Sequence, residues 1–144
     1  MAASTHTVAV NVEKKALWSF IESKEQWATL IPGYLHHELK SADEMIWVFE
    51  GDFGMIKKPV KVSLKVKSVN PENKLMFDLE GLSDNINGSG YFEIADTGEL
   101  IGHLDLKAGG FLAAMINPVL ENYVPKTTKD LVDEMGKFVT NATV

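Results

Sequence analysis

The sequence predicts an α+β protein in which a curved antiparallel sheet of about six to seven strands wraps around a long, kinked C-terminal helix, with two short helices after the first strand. Three observations predict it. Residues 60–67 alternate strictly, with Val60, Val62, Leu64 and Val66 facing one way and Lys61, Ser63, Lys65 and Lys67 the other. That is the period of a strand with one wet face. The turn sequences "NPENK" (70–74) and "DTGE" (96–99) divide the middle of the chain at hairpin intervals. Leu131, Val132, Met135, Phe138 and Val139 then recur at helical spacing, and the same period run backwards collects Val124, Leu120, Ile116 and Leu112.

In chain order, "HTVAVNV" (6–12) alternates Val8, Val10 and Val12 and reads as the first strand. Residues 11–13 then cap a short helix whose stripe is Leu17, Phe20 and Ile21. A second short helix carries Trp27, Leu30 and Ile31 and stops at Pro32 and Gly33. A meander follows to about residue 107. Its strands include "EMIWVFEG" (44–51), "VKVSLKVKSV" (60–69), a strand with Leu75, Phe77 and Leu79 opposite Met76, Asp78 and Glu80, the Phe92 strand, and "LIGHLDL" (100–106). Glycines 81, 88, 90, 102, 109 and 110 fall in or near the strands and the start of the last helix, where they permit bulges and curvature.

Composition excludes several classes. The 144 residues are 45% hydrophobic and 24% charged, with a net charge of -6, scattered lysines and no cysteine. This is the composition of a globular protein and most simply of one domain, residues 1–144. Nucleic acid is not an expected partner, because no basic face is apparent. Disulfides and thiolate metal sites are excluded. The N-terminus lacks the basic and apolar regions of a signal peptide, and no window approaches the ~20 apolar residues of a membrane span, so a cytoplasmic location is expected.

One segment departs from the pattern. In "AGGFLAAMINPVLENYVPK" (108–126), residues 111–116 carry no polar side chain, and Pro118 and Pro125 follow within the helix. A helix covering a core needs one apolar stripe. The expectation is that one side of this helix start packs on the sheet and another lines the mouth of a cavity.

The pattern resembles the helix-grip (START/Bet v 1-like, SRPBCC) superfamily and, more closely, the carbon monoxide dehydrogenase G-subunit family. The residues that carry the likeness are "WSFIESKEQWATLIPGY" (18–34), "WVFEGDFG" (47–54), "GLSDNINGSGYFEI" (81–94) and "GGFLAAMINPVLENYVPK" (109–126). The resemblance implies an internal apolar cavity that binds a hydrophobic small molecule. It also implies a role beside molybdenum-containing oxidoreductases, carrying a quinone or lipid at the membrane. Family members often carry a further C-terminal tail that reaches a membrane; none lies within these 144 residues, so permanent anchoring is not expected.

The ligand-binding candidates are Trp47, Phe49, Leu64, Phe77, Leu79, Phe92, Leu104, Phe111, Leu112, Met115 and Asn117. A lining of this kind, apolar with a few orienting polar groups, suits a hydrophobic ligand. Asn117, like Asn85 and Asn87, has a structural alternative as a cap or turn residue. The loop "GDFGMIKKP" offers Phe53, Met55 and Ile56 as a cavity lip beside Lys57 and Lys58, suited to transient membrane contact. No metal site is expected, since His36 and His37 are adjacent in a strand and point to opposite faces. No cofactor or catalytic residue is singled out, although Glu50 and Asp52 at a strand end could approach a pocket mouth. The leading expectation is a non-catalytic carrier of a quinone, isoprenoid or lipid, accessory to an oxidoreductase. The alternatives are a cyclase or hydrolase using the same cavity, and an assembly subunit docking through the apolar helix start.

Overall fold

The computed structural model describes residues 2–54 and 57–142. The chain runs β1 (Ala2–Val8), α1 (Lys14–Glu22), α2 (Lys24–Ala28), β2 (Tyr34–Leu39), β3 (Glu44–Asp52), β4 (Lys57–Asn70), β5 (Lys74–Gly81), β6 (Ile86–Ile94) and β7 (Leu100–Ala108). A 3-10 turn (Gly110–Leu112) leads into α3 (Ala113–Ala142). The strands form one antiparallel sheet in the order β1-β7-β6-β5-β4-β3-β2, so β2 to β7 are a continuous meander and β1 closes on its last strand. The predicted α+β architecture, a sheet gripping a long C-terminal helix, is the one observed.

Strand parity sets the core. Met45, Trp47 and Phe49 of β3, Val60, Val62 and Leu64 of β4, Leu75, Phe77 and Leu79 of β5, and Phe92, Leu104 and Leu106 beyond them are buried in one cluster. Register aligns them in rows across the sheet, as in Met45 opposite Leu64 and Leu64 opposite Leu79. In "MIWVF", where no alternation is readable, Ile46 and Val48 are also buried but stand outside this cluster. Each fully buried aliphatic or aromatic side chain contributes about 1.5–3 kcal/mol.

The stripe of α3 lies against β1 and β7. Leu120, Val124, Leu131, Val132, Met135 and Val139 are all buried. Contact is close because β7 has no side chain at Gly102: a Cβ there would overlap the Val132 methyl. Pro118 and Pro125 both lie within α3 and are exposed, as are Ala114 and Glu121, whose carbonyls lose their helical donors to the prolines. The ring clash on the outer side is the physical basis of the expected kink.

The helix pair α1–α2 closes the space on another side. Leu17, Phe20 and Ile21 are buried as expected, and Trp27 is the plug. Its ring lies 4.9 Å from Phe92, 5.6 Å from Trp47 and 6.0 Å from Phe77, centroid to centroid. Its indole nitrogen donates to the Ile21 carbonyl at 2.9 Å, and that of Trp47 donates to the Ala28 carbonyl at 2.9 Å. The buried indoles are therefore satisfied.

Several local expectations are corrected. The first strand is Ala2–Val8, not residues 6–12. Val8 pairs with Leu100, where β7 begins, so the chain has no strand partner beyond that point. Val10 and Val12 instead pack part-buried against the core. The first helix is capped by the Glu13 backbone, whose carbonyl accepts from Leu17 at 3.0 Å, with no side-chain cap. The second helix ends at Ala28, and Leu30 and Ile31 lie in the turn that follows. Pro32 disfavours helical geometry at the residue before it. Phe138 is partly exposed and stacks on Phe20 at 5.4 Å.

Candidate functional site

Two concavities meet between the sheet and α3. The inner one is an apolar cavity of about 20 Å³ lined by Ile31, Trp47, Phe49, Phe53, Val60, Val62, Leu79, Ile86, Leu104, Leu106, Leu120, Tyr123 and Thr127. The outer one is an open cleft of about 780 Å³ between residues 32–33, Glu50, residues 52–54 and Lys57, and the outer side of α3. Its walls carry Glu50, Asp52 and Asp130 as carboxylates and Lys57 and Lys126 as cations.

Phe53, Tyr123 and Thr127 line both spaces. The rings of Phe53 and Tyr123 are 5.0 Å apart at an interplanar angle of 57° and form the partition. Phe53 is seated on Gly51, where a Cβ would come within 2.6 Å of the ring edge. Any side chain at position 51 would therefore displace the partition.

The Tyr123 hydroxyl is, among the described residues, the one buried side-chain polar atom without a hydrogen-bond partner. Burial pushes its pKa up to about 12; Thr127 one turn later offsets part of this, and the Asp52 charge adds to it. Thr127 favours the charged phenol through side-chain hydrogen bonding, but the contact falls outside full hydrogen-bond geometry, so the phenol O–H keeps no acceptor. The phenol is accordingly a neutral, buried donor on a side chain that borders both spaces.

The predicted ligand set divides into four groups. Trp47, Phe49, Leu79 and Leu104, with the lip residue Phe53, line the inner cavity. Leu64, Phe77 and Phe92 do not; they are buried in the solid core, where the two phenylalanines pack on Trp27. Phe111, Leu112 and Met115 are not brought to the cavity either. Phe111 is fully exposed, Met115 67% and Leu112 52%. One side of the apolar helix start packs on the core through Ile116, as expected, whereas the side carrying Phe111, Leu112 and Met115 meets solvent, not a cavity mouth. Asn117 faces the end of β7, where its amide oxygen accepts from the Ala108 N–H at 2.7 Å and its amide nitrogen donates to the Ala108 carbonyl at 3.0 Å. Both its polar atoms are engaged there. Met55 and Ile56 lie outside the described residues.

Sequence reasoning did not name Tyr123 and Thr127 as site residues, although a signal existed. They fall three and seven residues after Leu120, on the same side of α3. Ile31, Val60, Val62, Ile86, Leu106 and Leu120 were readable as core positions but not as cavity lining.

Glu50 and Asp52 do reach the cleft, as expected of a strand end. The cavity beneath it has no ionisable lining residue other than Tyr123. Among the described residues no cluster of three or more metal-ligating side chains exists. Among the described residues no helix is long and apolar enough to cross a membrane.

The fold recurs widely among solved structures. A conserved protein from Geobacillus kaustophilus superposes with a TM-score of 0.77 at 16% identity, covering 97% of this chain and 96% of that one. A protein from Thermus thermophilus gives 0.76 at 10% identity over 99% of both chains. The Zhui aromatase/cyclase from Streptomyces sp. R1128 gives 0.70 at 12% identity, over 99% of this chain and 95% of that one. At these identities the likeness is one of fold. No curated protein matches significantly in sequence. The sequence profile of the carbon monoxide dehydrogenase G-subunit, CoxG, matches residues 7–139. The chain therefore belongs to the carbon monoxide dehydrogenase G-subunit (CoxG) family.

Proposed function

We infer that this protein is a non-catalytic carrier that takes a hydrophobic small molecule, of the quinone, isoprenoid or lipid class, between its sheet and α3. The observation that carries this reading is an apolar cavity bordering an open cleft, with the rings of Phe53 and Tyr123 and the Thr127 side chain shared between the two. At about 20 Å³ the closed cavity is far below the roughly 300–1,000 Å³ of small-molecule sites, so loading requires the partition to open and join the two spaces. Apolar burial at about 25 cal/mol per Å² supplies the driving force, less the cost of ordering cargo and loop. An enzyme of the cyclase or hydrolase type is disfavoured by the lining, which brings no acid–base pair into the cavity.

The exposed tip at residues 111–115 supports a second part of the reading. An uncovered Phe, Leu and Met side by side are what a partner surface covers, and the family's name associates it with carbon monoxide dehydrogenase. We assign the tip to docking on a molybdenum-containing oxidoreductase, at a cytoplasmic site of action, with the cleft exchanging cargo while docked.

Native mass spectrometry of freshly purified protein, followed by organic extraction, tests the carrier. A co-purifying apolar mass supports it; a mass unchanged after incubation with quinones, isoprenoids and fatty acids overturns it. Co-elution with the purified oxidoreductase of the source organism, lost in Phe111→Asp/Met115→Asp, tests the docking. Flotation of the wild type with anionic vesicles, lost in the same variant without any co-elution, would assign the tip to a membrane instead.

A further inference from the structure

We propose that the Tyr123 hydroxyl is the hydrogen-bond donor that recognises the cargo, and that the site selects uncharged apolar molecules bearing a carbonyl or ether oxygen over both hydrocarbons and carboxylates. The proposal rests on the carrier reading above and names the chemistry of its cargo.

Three observations lead to it. Tyr123 stands at the junction of cavity and cleft, with its hydroxyl buried and unpartnered. A buried donor without an acceptor destabilises the empty protein, and native structures keep such groups where something else uses them. An oxygen on the bound molecule at this junction gives the phenol its acceptor while the apolar remainder lies against Val62, Leu79 and Leu106. Phe53 alone would close the junction without selecting for oxygen.

The same lining rejects an anion. The cavity has no lysine or histidine, and the chain contains no arginine at all, so the planar fork that clamps carboxylates is absent. A carboxylate drawn past Tyr123 would be a buried charge without a partner. On the way in it would also pass Glu50, Asp52 and Asp130, which outnumber the two lysines of the cleft. The phenol itself remains protonated at neutral pH, since burial raises its pKa. It donates; it does not repel.

The test uses three probes of nearly equal shape: 2-acetylnaphthalene, 2-ethylnaphthalene and 2-naphthoate. Affinities for the wild type and Tyr123→Phe are measured by probe fluorescence, and both proteins are unfolded in urea without probe. The wild type is expected to bind the ketone best and the carboxylate worst. Tyr123→Phe is expected to shrink the ketone-over-hydrocarbon preference by roughly two- to tenfold, the worth of one hydrogen bond, while leaving ethylnaphthalene binding unchanged. Its urea midpoint should equal or exceed that of the wild type. An unchanged preference, naphthoate binding as tight as the ketone, or a large loss of stability in Tyr123→Phe would each overturn the proposal while leaving the carrier intact. Failure of all three probes to bind the wild type would overturn the carrier reading and this proposal with it.

Discussion

The rings of Phe53 and Tyr123, 5.0 Å apart and tilted by 57°, separate an apolar interior from an open cleft. They come from opposite sides of the site, one from the chain just after β3 and the other from α3. Phe53 is only partly buried, and its seat is the bare backbone of Gly51. Truncation of Phe53 to alanine should therefore open the interior at modest cost, about 1–2 kcal/mol, below the range for fully buried phenylalanines. The rate of cargo uptake should rise several-fold in stopped-flow fluorescence. An unchanged rate would show that entry lies elsewhere.

The raised pKa of Tyr123 has a consequence at high pH. An unfolded tyrosine loses its proton near 10, whereas this one holds it to about 12. Between those values the unfolded state binds fewer protons than the folded one, so stability falls as pH rises. The contribution is fully present below pH 10 and is lost through the next two units, an effect of about 2–3 kcal/mol. Urea unfolding at pH 9 and pH 12 should show this extra loss in the wild type and its absence in Tyr123→Phe.

Asn117 is predicted to act on stability. Its side chain bridges the N–H and carbonyl of Ala108 and so ties the last residue of β7 to the start of α3. Asn117→Ala leaves both backbone groups without that partner, at about 1–3 kcal/mol. Thermal unfolding should fall by several degrees, with the ketone-over-hydrocarbon preference of the probes unchanged. Loss of that preference would return Asn117 to the site.

Trp27 is predicted to be the most damaging single truncation. It is fully buried against Trp47, Phe77 and Phe92 and bonded to the Ile21 carbonyl. Trp27→Ala should cost about 3–5 kcal/mol by urea titration. The enlarged interior should also bind 2-ethylnaphthalene more tightly if the variant remains folded at low temperature.

What was legible in the sequence was what periodicity governs. The alternation in residues 60–66 and 75–79 assigned the inner face of the sheet, and the spacing from Leu120 to Val139 assigned the buried stripe of α3, because each pattern reports directly on one covered side. The end of β1 was not legible, since it depends on where β7 begins on a partner strand 92 residues away at Leu100. Trp27 read as one residue of a helix stripe, and its filling of the space beside Phe77 and Phe92 is tertiary. The same limit applies to residues 111–116. An apolar run shows that something should cover it without showing what, and a cavity lining and an exposed docking tip have one composition. Tyr123 carried a periodic signal, but its orphaned hydroxyl is a property of the fold.

On the carrier reading, an apolar molecule enters past Phe53 and Tyr123 into the interior. Methyl NMR with 2-acetylnaphthalene checks this route. Intermolecular NOEs are expected from the naphthalene ring to the methyls of Val62, Leu79, Leu106 and Leu120, whose side chains line the inner cavity. NOEs confined to Leu112 and Met115 at the exposed tip, or none at saturating probe, would contradict it.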